Sequence, residues 1–343
     1  MKYGLMVVFV VILSVAANSF RADGSGNEET YPEFDQSQGR ARSWQSRVLE
    51  GFMILNRRFS QHSSELDVAR QRAEVESITR MFKPMGAIES DPVVANGVPA
   101  EWIFTQGLRP TRVILHLHGG SFTSGSIASH RTLAGNVALA AGSRSLLIDY
   151  RLAPEHPFPA AVEDAVASYE WLLSQGFAGG QIVLVGDSAG GNLALALLVY
   201  LRDHHRPMPA AAVCLSPGPD LTFAGESWVF NSRRDILIDE RMIRQAVDYY
   251  LNGADPRTPL ASPYFADLRG LPPLLIQVGS QEVFLSDATR FAEKARQAGV
   301  EVTLDVWPGM QHVWHFAAGL MPESRRAIFR IGAFVETVFR KAE

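Results

Sequence analysis

The sequence predicts an α/β fold, a mostly parallel central sheet with helices on both faces, and three observations predict it. Apolar, β-like runs alternate with segments of helical period along most of the chain. One such run, Gln181-Ile182-Val183-Leu184-Val185, feeds straight into Gly186-Asp187-Ser188-Ala189-Gly190-Gly191 and a helical stretch follows to Asp203, so strand, sharp turn and helix succeed one another without a spacer. With 343 residues, 47% of them hydrophobic, the chain can bury one large core. In such a sheet the chemistry sits on loops at the strand carboxyl ends.

Taken in order, Met1-Lys2, the apolar stretch from Leu5 to Val15 and the small residues Ala16-Ala17-Asn18-Ser19 read as a charged start, a short apolar core and a cleavage region. Residues 1–19 are therefore expected to be a signal peptide, cut after Ala17 or Ser19, and the protein periplasmic or secreted. An uncleaved N-terminal membrane anchor is the alternative. Residues 20–42 are polar and read as a flexible lead into a folded unit spanning 43–343. The single cysteine, Cys214, lies in an apolar run, which rules out an intramolecular disulfide and a cysteine lipid anchor near the start. A net charge of −4 with scattered Lys and Arg argues against nucleic-acid binding.

Trp44, Val48, Phe52, Leu55 and Phe59 recur at near-helical spacing, predicting one or two amphipathic helices over 43–82. Residues 88–94 and 101–105, separated by Asn96-Gly97, read as a hairpin. The alternation then runs strand 112–118, helix 127–141, strand 145–149, helix 159–175, strand 182–185, helix 192–203 and strand 211–215. A long interval, 217–273, holds a helix at 238–251 and exceeds an ordinary connection, so part of it is expected to pack with the N-terminal helices as a lid. Strand 274–278, helix 287–298, strand 302–306 and helix 325–340 close the chain.

Ser188 stands at the apex of the sharp turn, flanked by Gly186, Ala189, Gly190 and Gly191, side chains small enough for a strained backbone. The turn presents the hydroxyl at the start of the following helix and aims the Ala189 N–H where an oxyanion would form. His118-Gly119-Gly120-Ser121-Phe122 follows another strand, and its glycines let backbone N–H groups converge on one point, making Gly119 and Gly120 further donors. His116 and His118 alternate on one strand, but no third ligand follows at a recognisable spacing, so no metal is expected.

These motifs, with Asp149-Tyr150-Arg151-Leu152-Ala153-Pro154-Glu155, Phe158-Pro159-Ala160-Ala161-Val162-Glu163-Asp164-Ala165 and Gln311-His312-Val313, resemble the hormone-sensitive lipase family of α/β-hydrolase carboxylesterases, which includes bacterial esterases and relatives of arylacetamide deacetylase. The resemblance covers roughly residues 85–340. It implies an α/β-hydrolase fold, nucleophile Ser188, base His312, an oxyanion hole of Gly119, Gly120 and Ala189 amides, and a small helical cap from about residues 43–85 and 220–255. The chain departs from the family pattern twice: Ser121 replaces a third glycine, and Glu282 stands three residues past Gly279, where the family carries the aspartate of the triad. A glutamate meets the same need, a carboxylate accepting from the imidazole.

The rival acids are Asp287, which reads as part of a helix start, and Asp305, inside a strand; the rival base, His315, reads as structural. Arg151, Asp164 and Asp187 read as loop braces. The expected protein is a cofactor-independent serine carboxylesterase acting on a small-molecule ester with a small-to-medium acyl group, and its oligomeric state, a homodimer included, stays open. The size expectation rests on short cap segments and on Gly218, where relatives often carry tryptophan, although that glycine could equally open the acyl pocket. The alternatives are an amidase or deacetylase on the same triad, and a non-catalytic small-molecule receptor on the same fold, against which His312 argues.

Overall fold

The computed structural model describes residues 42–59, 66–105 and 111–341. The expected signal peptide and almost all of the lead lie outside these residues. Among the described residues no helix is long and apolar enough to cross a membrane.

The apolar runs form β1 (Glu89–Ala95), β2 (Val98–Phe104), β3 (Val113–Leu117), β4 (Arg144–Ile148), β5 (Ile182–Asp187), β6 (Ala211–Leu215), β7 (Leu274–Gly279) and β8 (Val302–Trp307). They pair in one sheet in the order β1-β2-β4-β3-β5-β6-β7-β8. β1 and β2 are a hairpin turned by Asn96 (φ 49°) and Gly97 (φ 90°), positive torsions that match the twist of the flanking strands. β2 runs antiparallel to β4, and every later pairing is parallel. β3, β5, β6 and β7 are buried along their whole length, which is why their sequences are continuous apolar runs rather than alternating ones.

The helices are α1 (Trp44–Phe59), α2 (Val68–Thr79), α3 (Ile127–Ala140), α4 (Ala160–Ser174), α5 (Ala189–Asp203), α6 (Ser227–Phe230), α7 (Glu240–Leu251), α8 (Leu285–Gln297) and α9 (Pro322–Lys341). Successive strand residues point to opposite faces. Leu115 and Leu184 therefore join a core with Tyr169 of α4, Leu197 of α5 and Phe291 of α8, while Ile114 and Val183 pack with Val137 of α3 and Ile331 of α9. Both faces of the sheet are covered. This is an α/β-hydrolase fold.

Several boundaries differ from expectation for local reasons. α5 begins at Ala189 rather than Asn192, since the turn glycines already have helical torsions. α8 starts at Leu285 rather than Asp287, placing Asp287 in its first turn. α9 starts at Pro322, a residue suited to a first helical turn because it has no N–H to leave unpaired. In the long interval after β6, α6 is an additional short helix. α2 and α7 meet above the strand carboxyl ends, where the Leu66 N–H just before α2 donates to Gln245 Oε1 on α7 at 2.8 Å.

Candidate active site

The turn that carries Ser188 is built by close approach. A side chain on Gly190 would collide with the Leu117 carbonyl of β3, and one on Gly186 with the Gly190 carbonyl, so only glycine lets β5 turn this sharply against its neighbour. Ser188 is left at φ 53°, ψ −118°, a strained torsion pair, with its N–H donating to Leu215 O at 2.8 Å. Ser188 is half-buried and lines a cavity.

Two loops bring partners to that hydroxyl. His312, on the loop after β8, places Nε2 2.9 Å from Ser188 Oγ and Nδ1 2.9 Å from Glu282 Oε2. Glu282, just past β7, is fully buried, and its other oxygen accepts from the Gly279 N–H and from Ser216 Oγ. The His312 loop is fastened from the side by Gln311, which accepts from the Ile236 N–H at 3.1 Å and donates to Arg234 O at 3.0 Å. Burial lowers the His312 pKa, but the hydrogen bond and charge of Glu282 outweigh it, so the imidazole titrates above its ordinary value.

The loop after β3 carries Gly120, Ser121 and Phe122 at φ 121°, 56° and 61°. Positive φ at Ser121 and Phe122 is strained and must be imposed by surroundings. Those surroundings come partly from α2: Arg72 Nε donates to Thr123 O at 2.8 Å, and Thr123 Oγ1 donates to Gln71 Oε1 at 2.9 Å. The Phe122 ring stacks on Tyr250 of α7 with centroids 3.8 Å apart.

Gly119 requires a correction. Expected as an oxyanion donor, it is buried below the turn and gives its N–H to Asp187 Oδ1 at 3.2 Å and His130 Nε2 at 3.3 Å. The loop swings toward Ser188 only one residue later. Among the described residues none accepts a hydrogen bond from the Gly120, Ser121 or Ala189 amide, and Gly120 and Ser121 line the cavity beside Ser188. Asp187 thus braces this loop; burial raises its pKa, but the His130 imidazole at 3.3 Å outweighs that and holds it below the ordinary carboxylate value.

The rivals lie elsewhere. Asp287 is buried and accepts from Trp228 Nε1 at 2.8 Å, with burial pushing its pKa up to about 7. Asp305 is held by Arg330 at 2.7 and 2.8 Å. His315 bonds Gln277 Oε1 at 2.9 Å, and burial lowers its pKa to about 3, so it stays neutral. Arg151 grips Asp164 with its N–H and its guanidinium. His116 and His118, also buried, are pushed down to about 4 and about 3. Ser216, Arg72 and Phe284 carry no signal in the sequence, since their partners are distant in the chain.

The cavity measures about 540 Å³ and opens between α1, α2, the start of α7 and the His312 loop. Ser188 and His312 lie in its wall, and Leu49, Met53, Val75, Met242 and Trp314 make the surface around them apolar.

The family described by an alpha/beta hydrolase fold matches residues 114–316. An acetyl-hydrolase of Streptomyces hygroscopicus is 47% identical over 276 residues, covering 80% of this chain and 92% of that protein. An esterase of Acinetobacter venetianus is 37% identical over 278 residues, covering 80% and 91%. Among solved structures, an esterase from the bacterial hormone-sensitive lipase family superposes with a TM-score of 0.83 at 43% identity, over 87% of this chain and 99% of that one.

Proposed function

The chain belongs to the hormone-sensitive lipase family of alpha/beta hydrolases, and from that membership we propose that it is a serine carboxylesterase that hydrolyses small-to-medium acyl esters through an acyl-enzyme on Ser188. The observation that carries the reading is the continuous chain of contacts from Ser188 Oγ to His312 Nε2 and from His312 Nδ1 to Glu282 Oε2, each 2.9 Å.

Ser188 Oγ attacks the ester carbonyl carbon while His312 Nε2 takes its proton. Glu282 holds the imidazole orientation and stabilises the cation that forms. The carbonyl oxygen becomes an oxyanion facing the Gly120 and Ala189 amides, with Ser121 in the place first assigned to Gly119. Collapse breaks the ester C–O bond, and the proton on His312 goes to the departing alcohol. Water, giving its proton to His312, then attacks the acyl carbon, and the second collapse frees the acid and restores Ser188. No cofactor enters these steps.

A cavity of about 540 Å³ falls within the range of small-ligand sites, and its apolar walls suit an uncharged ester. A deacetylase reading is the second choice, favoured by the name of the Streptomyces relative, which is an acetyl-hydrolase. A receptor reading loses support from the His312 imidazole standing ready beside Ser188. Export through residues 1–19 remains part of the proposal, and N-terminal sequencing of the mature protein tests it: a start at Asn18 or Phe20 supports export, whereas Met1 on membrane-bound protein supports an anchor.

The activity is tested with 4-nitrophenyl acetate, butyrate and palmitate beside 4-nitroacetanilide. The proposal expects the short esters to be turned over fastest. A rate climbing steadily to palmitate contradicts the acyl-size reading, and faster turnover of the anilide favours the deacetylase.

A further inference from the structure

Ser216, the first residue after β6, is fully buried and sits at φ 48°, in the left-handed region where glycine is the inexpensive choice. A serine there calls for a reason, and its hydroxyl supplies one. Ser216 Oγ donates to Glu282 Oε1 at 2.8 Å and accepts from the Val313 N–H at 3.1 Å. One hydroxyl therefore joins the acid loop after β7 to the base loop after β8. Its own N–H, donating to Gln277 O at 2.7 Å, ties it to the neighbouring strand.

Both ends of this bridge need holding. A glutamate has one more rotatable bond than an aspartate, so its carboxylate has more orientations to lose before it faces an imidazole. With the Gly279 amide and the Ser216 hydroxyl both on Oε1, only Oε2 is left for His312. Val313, adjacent to His312, is β-branched and yet lies at φ 45°, a conformation that persists only where neighbours impose it. The hydrogen bond into Ser216 Oγ is one such imposition.

We infer that Ser216 is a positioning residue for the proposed hydrolysis: its hydroxyl fixes the Glu282 carboxylate against His312 and holds the His312 loop in register with Ser188. The inference rests on the esterase reading for its kinetic consequences, though its geometric consequence, a perturbed His312, does not. The charged groups facing His312 are Glu282, Asp235 and Asp187, and substitution at 216 changes none of them.

Two variants separate the hydroxyl from the backbone. Ser216→Ala removes the hydroxyl and keeps the strain, whereas Ser216→Gly removes the hydroxyl and relieves the strain. Both are expected to lower kcat about 10- to 100-fold, the effect of losing a hydrogen bond to a charged group, with KM little changed. The Gly variant should melt higher than the Ala variant, since both lose the buried hydrogen bonds and only the glycine relieves the backbone strain. In both, the His312 titration followed by NMR of the ring moves to lower pH, because a loosely held Glu282 stabilises the imidazolium less. Rescue of activity in Ser216→Gly, with an unmoved His312 titration, overturns the inference and leaves Ser216 a mere turn residue. A wild-type protein without esterase activity sinks the functional reading instead, and the NMR titration still decides the role of Ser216.

Discussion

The Phe284 ring occupies the space that a side chain at Gly218 would fill: a Cβ on Gly218 would lie 2.9 Å from Phe284 Cε1. The same ring lies 5.0 Å from the His312 imidazole and 5.0 Å, edge to face, from Trp228. The glycine therefore does not open a pocket, because an aromatic ring from the turn before α8 closes the gap and backs the His312 ring.

Enlarging residue 218 should then disturb His312 through Phe284. Gly218→Trp is expected to cost about 1–3 kcal/mol of stability as an overpacked core site and to lower kcat. Adding Phe284→Ala should recover part of both losses. Thermal melting and ester turnover of the single and double variants check this, and purely additive losses would contradict it.

On the proposed mechanism His312 must be neutral to accept the Ser188 proton, so the acid limb of the pH profile should follow it. Since Glu282 holds its pKa above the ordinary value of about 6.5, kcat/KM should fall as pH drops through a point above that value. Glu282→Gln removes the charge, so the limb should move to lower pH while the plateau drops, on the order of 10⁴-fold in the comparable triad case. A pH–rate series on both proteins tests the sign.

Asp287 makes a contrasting prediction. Its folded pKa of about 7 exceeds the unfolded value of about 3.9, so the folded state binds more protons between these limits and stability declines as pH rises across them. Asp287→Asn keeps an acceptor for Trp228 but cannot ionise. Its melting temperature should match the wild type near pH 4, exceed it at pH 8, and be accompanied by most of the wild-type activity.

Arg72 reaches from α2 to the strained loop beside Ser188. Arg72→Ala removes the hydrogen bond to Thr123 O and the fork onto Glu155, and should lower kcat about 10-fold, the size expected for a charged donor lost from a partly buried site. Lysine, which cannot reproduce the fork, should fall between. Steady-state kinetics with 4-nitrophenyl butyrate distinguish the three.

Much of this was legible in the sequence because its signals are local. The continuous apolar runs of β3, β5, β6 and β7 announce strands buried on both faces, and the resemblance of the segments after β7 and β8 to the family pattern nominates Glu282 and His312. Ser216 carries no such signal, since nothing in Leu215-Ser216-Pro217 records that residues 282 and 313 will arrive on either side of it. That the Gly119 N–H turns away to Asp187 and His130 depends on contacts with residues far along the chain, which the motif itself does not record. Arg72 and Phe284 were hidden for the same reason: each acts on a segment dozens of residues away.

On the proposed mechanism Ser188 is a nucleophile activated by His312. Treatment with a 4-nitrophenyl alkylphosphonate, followed by release of 4-nitrophenol and peptide mass mapping, tests it directly. The expected result is one equivalent of nitrophenol, complete loss of esterase activity, a phosphonyl group on Ser188, and a much slower reaction in His312→Asn. Full activity after labelling, a label on another residue, or an undiminished rate in His312→Asn would contradict it.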